Sequence, residues 1–178
     1  MRPRNATATP PRGVTMIEVL VAIVISVIAL LGLAGFQMRT YAAEAESFQR
    51  THAVVLLDDM ASRISVNRAN AAAYVQDDIG VGAVANCAAL TVRAQIDLCE
   101  WGNQLRGAAE TLGTSRIGAM IAARGCITQL TPQTYIVAVV WEGLAPTAAP
   151  PTTCGQNAYS SEALRRAVTT VVTIGNLG

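Results

Sequence analysis

From Val19 to Met38 twenty consecutive positions carry no charge, and a single carboxylate, Glu18, stands at the head of that run. A helix rising ~1.5 Å per residue would cover ~30 Å with such a stretch, the thickness of a bilayer's hydrocarbon core. Beyond it, Arg39 to Arg50 brings in charge, with no Pro or Gly to end a helix. Tyr41, Ala45, Phe48, His52, Leu56, Met60 and Ile64 recur every three or four residues, which predicts one apolar stripe. Glu44, Glu46, Arg50, Asp58 and Arg63 fall on other faces. The expected element is one helix over 14–68, ~80 Å long, half in a bilayer and half packed on a globular head. Gly32 and Gly35 interrupt its apolar half at a cost of ~1 kcal/mol each relative to Ala. They either soften the helix or let another helix pack closely there.

Residues 67–91 read as an irregular polar connector rich in Ala and Gly, from Asn67 through Asp77 and Asp78 to Cys87. A second helix is expected over 92–108, with Leu98, Trp101 and Leu105 on its core face and Gly107 ending it. Three strands should follow. The first runs over 119–128 with Gly118 before it. The second, 134–142, is the clearest, being rich in β-branched and aromatic residues. The third covers 167–174. Thr131, Pro132 and Gln133 make a short hairpin turn between the first two. The Pro- and Thr-rich segment 144–155 is a surface loop, since Pro cannot serve a central strand. The fold class is therefore α+β, a long helix and an extra helix against a small antiparallel sheet.

Composition narrows the function classes. The chain has 178 residues, 52% of them hydrophobic but only 4% aromatic, enough for one anchored domain with a modest core. All thirteen basic residues are Arg. Three of them, Arg2, Arg4 and Arg12, lie before the apolar run with no acid among them, which places that stub in the cytoplasm and the remainder outside. Beyond the stub ten Arg face twelve acids, so nucleic-acid binding has no electrostatic footprint. The apolar run is longer than the ~7–15 residues of a secretory signal, and no A-x-A site follows it. The hydrophobic segment is expected to stay on the mature protein.

Glu18 has no place in an ordinary anchor. An acid at mid-membrane costs ~2.5–3.5 kcal/mol, less near an end, so it suggests a function with a missing partner. Its surroundings supply one. Arg12-Gly13-Val14-Thr15-Met16-Ile17-Glu18 before an apolar helix resembles the class III signal of type IV prepilins and type II secretion pseudopilins. The resemblance implies cleavage after Gly13 by a prepilin peptidase and N-methylation of the new terminus, Val14. Glycine lets an extended peptide pass close to a protease. The freed Val14 amine, with a reference pKa of ~7.7–8, would be mostly protonated and could pair with a Glu18 carboxylate of its own or a neighbouring subunit. The rival reading is that Glu18 snorkels to the headgroups. Within this family a helix with Asp97, Leu98 and Trp101, a strand ending Val139–Gly143, and a terminal Arg165–Val172 are similar to the PilV family of minor pilins. The implied organisation is a leader over 1–13, a membrane and assembly helix over 14–38, and an extracytoplasmic head over 39–178.

Cys87, Cys99, Cys126 and Cys154 all lie beyond the apolar segment, and an even count in an oxidising compartment reads as two disulfides with three possible pairings. The local pairs Cys87–Cys99 and Cys126–Cys154 are favoured, each closing a short loop and contributing ~3 kcal/mol. No C-x-x-C occurs and the single His is distant in sequence, so zinc is not expected. Asp58-Asp59 and Asp77-Asp78 lack the EF-hand pattern and read as a solvated helix face and a turn rather than calcium ligands. His52 is expected to pack as a neutral side chain, and with no nucleophile motif the chain is not expected to be an enzyme or to hold a cofactor.

The expected function is that of a minor pilin, an inner-membrane precursor that enters the pilus or its priming or tip complex and supports assembly, adhesion and twitching motility. Its partners would be the prepilin peptidase, other minor pilins and the major pilin. One alternative is a minor pseudopilin of a type II secretion system, which shares the signal and the helix. The other is a membrane-tethered extracytoplasmic binding domain or enzyme, which would not be cleaved at Gly13.

Overall fold

The computed structural model describes residues 13–108, 111–112, 115–116 and 120–175. The chain divides into two compact units, Met1–Ala42 and Ala43–Gly178. Helix α1 (Met16–Val66) supplies the described helical residues of the first unit and the leading element of the second. Strand β1 (Gln76–Ile79), helix α2 (Arg93–Leu105), the short strands β2 (Thr111–Leu112) and β3 (Ser115–Arg116), and strands β4 (Arg124–Thr131), β5 (Thr134–Glu142) and β6 (Arg165–Thr173) follow. The architecture is α+β and pilin-like, as expected: a long N-terminal helix, an additional helix and a four-stranded antiparallel sheet in the order β1-β4-β5-β6.

In the first unit the helix is uncharged from Val19 to Met38, and none of its long apolar stretch is buried by the protein. It is the one described helix long and apolar enough to cross a membrane. It continues through Gly32 and Gly35, where an added Cβ would meet no atom within 4 Å.

In the second unit α1 buries Gln49, Ala53, Leu56, Leu57, Met60 and Ile64. This corrects the expected stripe at its near end: Phe48 is 57% exposed and His52 only half-buried. The reason is helix phase. A step of four residues turns ~40° past a full circle, so a run of fours drifts off the buried face, and Gln49 and Ala53 hold the centre that Phe48 and His52 leave. Tyr41, assigned to the same stripe, is exposed as well.

Strand β5 begins and ends where its sequence predicts. Tyr135, Val137, Val139 and Trp141 join the main core with α1 and α2, while Ala138 and Val140 face a second cluster around Cys126 and Cys154. With both faces covered, β5 reads as a nearly unbroken apolar run. The hairpin at Pro132 and Gln133 joins it to β4. Two expectations need correction. The first strand starts at Arg124; Met120 to Ala123 form a turn with Ala122 at φ 50°, and positions 118 and 119 lie outside the described residues. The connector is also not wholly irregular. It holds a short 3-10 helix (Arg68–Tyr74) and then β1, which pairs with β4 at Gln76↔Ile127 and Ile79↔Gly125 across a bulge. Gln-Asp-Asp has no β preference, and here the edge of β4 makes the strand by backbone pairing.

Helix α2 presents Leu98, Trp101 and Leu105 to the core and ends before Gly107, whose φ of 65° suits a residue without Cβ. The Trp101 indole donates to the Leu56 carbonyl at 2.8 Å, joining α2 to α1. Gly125 of β4 makes the close approach possible, because a Cβ there would lie 2.2 Å from the Trp101 ring.

Candidate functional site

Residues 13–15 have no regular structure, and α1 starts at Met16. The amides of Glu18 and Val19 both donate to the Thr15 carbonyl, at 3.1 and 3.3 Å. Thr15 thus carries the first intrahelical bonds, and Glu18 sits in the first turn, where a negative charge offsets the unpaired amides at the positive end of the helix dipole. Val14 and Glu18 are both exposed. A Cβ built on Gly13 meets nothing within 4 Å. Among the described residues nothing therefore requires glycine there. Arg2, Arg4 and Arg12 lie outside the described residues.

A second constellation was hidden from sequence. Asp97 of α2, 1% exposed, accepts from the Tyr74 hydroxyl at 2.6 Å, from the Arg93 guanidinium at 2.6 and 3.2 Å, and from Arg63 of α1 at 3.0 Å. Arg63 also reaches Glu100 at 2.7 Å and Asp59 at 2.9 Å. Burial alone would raise the Asp97 carboxyl, but the donors from Tyr74, Arg93 and Arg63 outweigh it and hold Asp97 below its ordinary value. Burial and the Asp97 carboxylate push the Tyr74 phenol up. Burial pulls the Arg63 guanidinium down, yet Glu100, Asp59 and Asp97 raise it above its ordinary value. The Asn67 amide donates to the Tyr74 hydroxyl at 3.1 Å, completing its partners. This cluster locks three segments together, the end of α1, the turn at Tyr74 and α2. Periodicity places Arg63 off the apolar stripe, and no local signal announces a partner 34 residues away.

A third joint ties the Pro-rich segment to α1. One oxygen of Glu46 accepts from the Leu144 amide at 2.8 Å, the Ala145 amide at 3.2 Å and Arg166 at 3.2 Å. Arg166 also donates to the carbonyls of Ala145 and Ala163. Arg165, 2% exposed, donates to the Thr152 and Cys154 carbonyls at 2.6 and 3.0 Å and pairs with Glu162 at 2.6 Å. Donation from the Asn157 amide and from Arg165 holds the Glu162 carboxyl below its ordinary value. Disulfides join Cys126 to Cys154, with Cα atoms 5.8 Å apart, and Cys87 to Cys99, 5.7 Å apart. The first pins the loop to the outer face of the sheet, and the second fastens the connector to α2.

The remaining candidates are not brought together. His52 stacks on Phe48 with ring centroids 6.2 Å apart. Asp58 is exposed, Asp59 is held by Arg63, and Asp78 pairs with Arg124 at 2.9 Å while Asp77 is exposed. Arg124 lies over the Tyr159 ring, whose phenol is pushed up to about 12 chiefly by burial. What the geometry offers is, in the second unit, a head held together by a set of locks and, in the first, an exposed apolar helix with an acid in its first turn.

Two family models match parts of the chain. Residues 11–34 match the model of the prokaryotic N-terminal methylation motif, and residues 35–100 match that of the Tt1218-like type IV pilins. No curated protein and no solved structure matches the chain. Residues 11–100 thus carry the sequence character of a type IV pilin precursor.

Proposed function

We propose that this chain is a minor type IV pilin of the PilV kind. It starts as a single-pass inner-membrane precursor with its head in the periplasm. The prepilin peptidase cuts after Gly13 and methylates Val14, and the product enters the pilus or its priming or tip complex beside other minor pilins and the major pilin. There it supports assembly, adhesion and twitching motility by binding, with no reaction of its own. The observation that carries this reading is the methylation motif over 11–34 heading a helix that is exposed, apolar and acidic in its first turn. The locked head supports it too, because a subunit held by its helix needs a rigid body beyond it.

The test is where the protein goes. In the native host the tagged chain is expected in sheared surface filaments together with the major pilin, and to be lost from them when the peptidase is deleted. Recovery instead with type II secretion components would assign it to a pseudopilus. Equal amounts in membranes with and without the peptidase, and none in filaments, would contradict the pilin reading.

A further inference from the structure

The two disulfides differ in what can reach them. Cys126 and Cys154 are 3% and 6% exposed and form the second core cluster with Ala138 and Val140. Cys87 and Cys99 are only half-buried. Exchange needs a thiolate to reach a sulfur, so burial shields the first pair and leaves the second open to attack. They also restrain different parts of the head. Cys126–Cys154 ties the sheet to the loop that Arg165 anchors through the Thr152 and Cys154 carbonyls. Cys87–Cys99, with a sequence separation of 12, fastens one exposed segment to α2.

That segment, 81–92, is a strap. Cys87 and Leu90 are half-buried, and every other residue in it is exposed. It follows Gly80 at φ 93° and contains Gly82 at φ 87°, backbone that residues with a Cβ rarely adopt. Besides the disulfide, Asn103 of α2 holds it. The Asn103 amide donates to the Ala85 carbonyl at 2.8 Å, and its oxygen accepts from the Ala85 amide at 3.0 Å. Arg106 donates to the Val81 carbonyl at 3.1 Å. Exposed hydrogen bonds of this kind contribute little net stability against water, so the covalent tie is what fixes the strap. Val81, Ala85 and Leu90 line a cleft of about 420 Å³ together with Ile79 of β1 and Gln95 and Leu98 of α2. Helix α2 does not depend on the strap. Leu98, Trp101 and Leu105 belong to the main core, and Asp97 and Trp101 bond to α1.

We propose that Cys87–Cys99 is a redox latch: reduction by a protein dithiol frees the strap and opens the cleft while the rest of the head stays folded. Asn103 favours the step, because its amide lies 3.3 Å from Cys87 Sγ and stabilises a thiolate there. The attacking thiolate bonds to Cys99 Sγ as the S–S electron pair departs on Cys87. The second sulfur of the dithiol then displaces Cys99. Two electrons and two protons pass to the chain, which ends with two thiols, and the donor ends as a disulfide.

Graded reduction of the full-length protein in detergent tests the latch. The oxidised protein is treated with dithiothreitol, quenched by alkylation at intervals and mapped by peptide mass. Cys87 and Cys99 are expected to be alkylated at least ~10-fold faster than Cys126 and Cys154, the range a buried sulfur gains from its shielding. The fluorescence of the buried Trp101 and Trp141 should stay unchanged meanwhile. Hydrogen exchange of the amides in 81–92 should then speed up, while β4, β5 and β6 keep their protection. Cys87→Ser combined with Cys99→Ser should show the same opening without any reductant. Equal rates at the two pairs, or faster loss of Cys126–Cys154, would overturn the proposal. So would a strap that stays protected once its disulfide is reduced, or a tryptophan signal lost in step with that reduction.

Discussion

Replacing Asp97 with alanine is expected to destabilise the head by about 3–5 kcal/mol, the range for removing one partner of a buried charge cluster. Arg63 would keep Asp59 and Glu100, but the Tyr74 hydroxyl would lose its acceptor and the joint between α1, Tyr74 and α2 would weaken. Asp97→Asn should cost less, since it keeps an oxygen for Tyr74. The same residue sets an acid limb on stability. Its carboxyl sits below the ordinary value in the folded state, so its contribution is complete above the unfolded pKa of ~3.9. That contribution fades as pH falls through the lower, folded value. Urea unfolding at pH 7 and near pH 3 checks both statements. The parent should lose more stability across that interval than Asp97→Asn, and equal losses would remove Asp97 from the acid limb.

The second large effect concerns Glu18. Glu18→Val should leave membrane insertion and cleavage largely intact, because it only makes the helix more apolar. Entry into filaments should fall to a small fraction of the parent, since a Val14 amine in a low-dielectric contact loses its counter-charge. Glu18→Gln keeps an acceptor without the charge and should lie between. Quantifying mutant protein in sheared filaments against the membrane fraction decides it. Parental incorporation of processed Glu18→Val would leave Glu18 with only its place at the helix dipole.

What could be read from the chain before folding was whatever is written locally. The β-branched run 134–142, the uncharged run 19–38 and the Leu98–Trp101–Leu105 spacing each specify an element within a dozen or two residues. Strand β1 could not be read, because its pairing lies in the backbone of β4 and not in Gln76, Asp77 or Asp78. The buried face of α1 was misjudged at Phe48 for a related reason. Only the head decides which of two adjacent helix faces is covered, and it covers Gln49 and Ala53. Charge was the least legible. Glu46 and Arg63 look like ordinary surface residues until the fold brings each to donors or acceptors tens of residues away, and the motif that holds Asp97 does not name its partners. The motif at Gly13, Val14 and Glu18 is the opposite case: it is written in consecutive residues and legible in sequence.

The N-terminus of the protein taken from its own membranes is the most direct test. Intact mass and N-terminal sequencing should find a chain that begins at Val14 with one added methyl group and both disulfides closed. A mature chain that still carries Arg2 to Gly13 in cells containing an active prepilin peptidase would contradict the assignment.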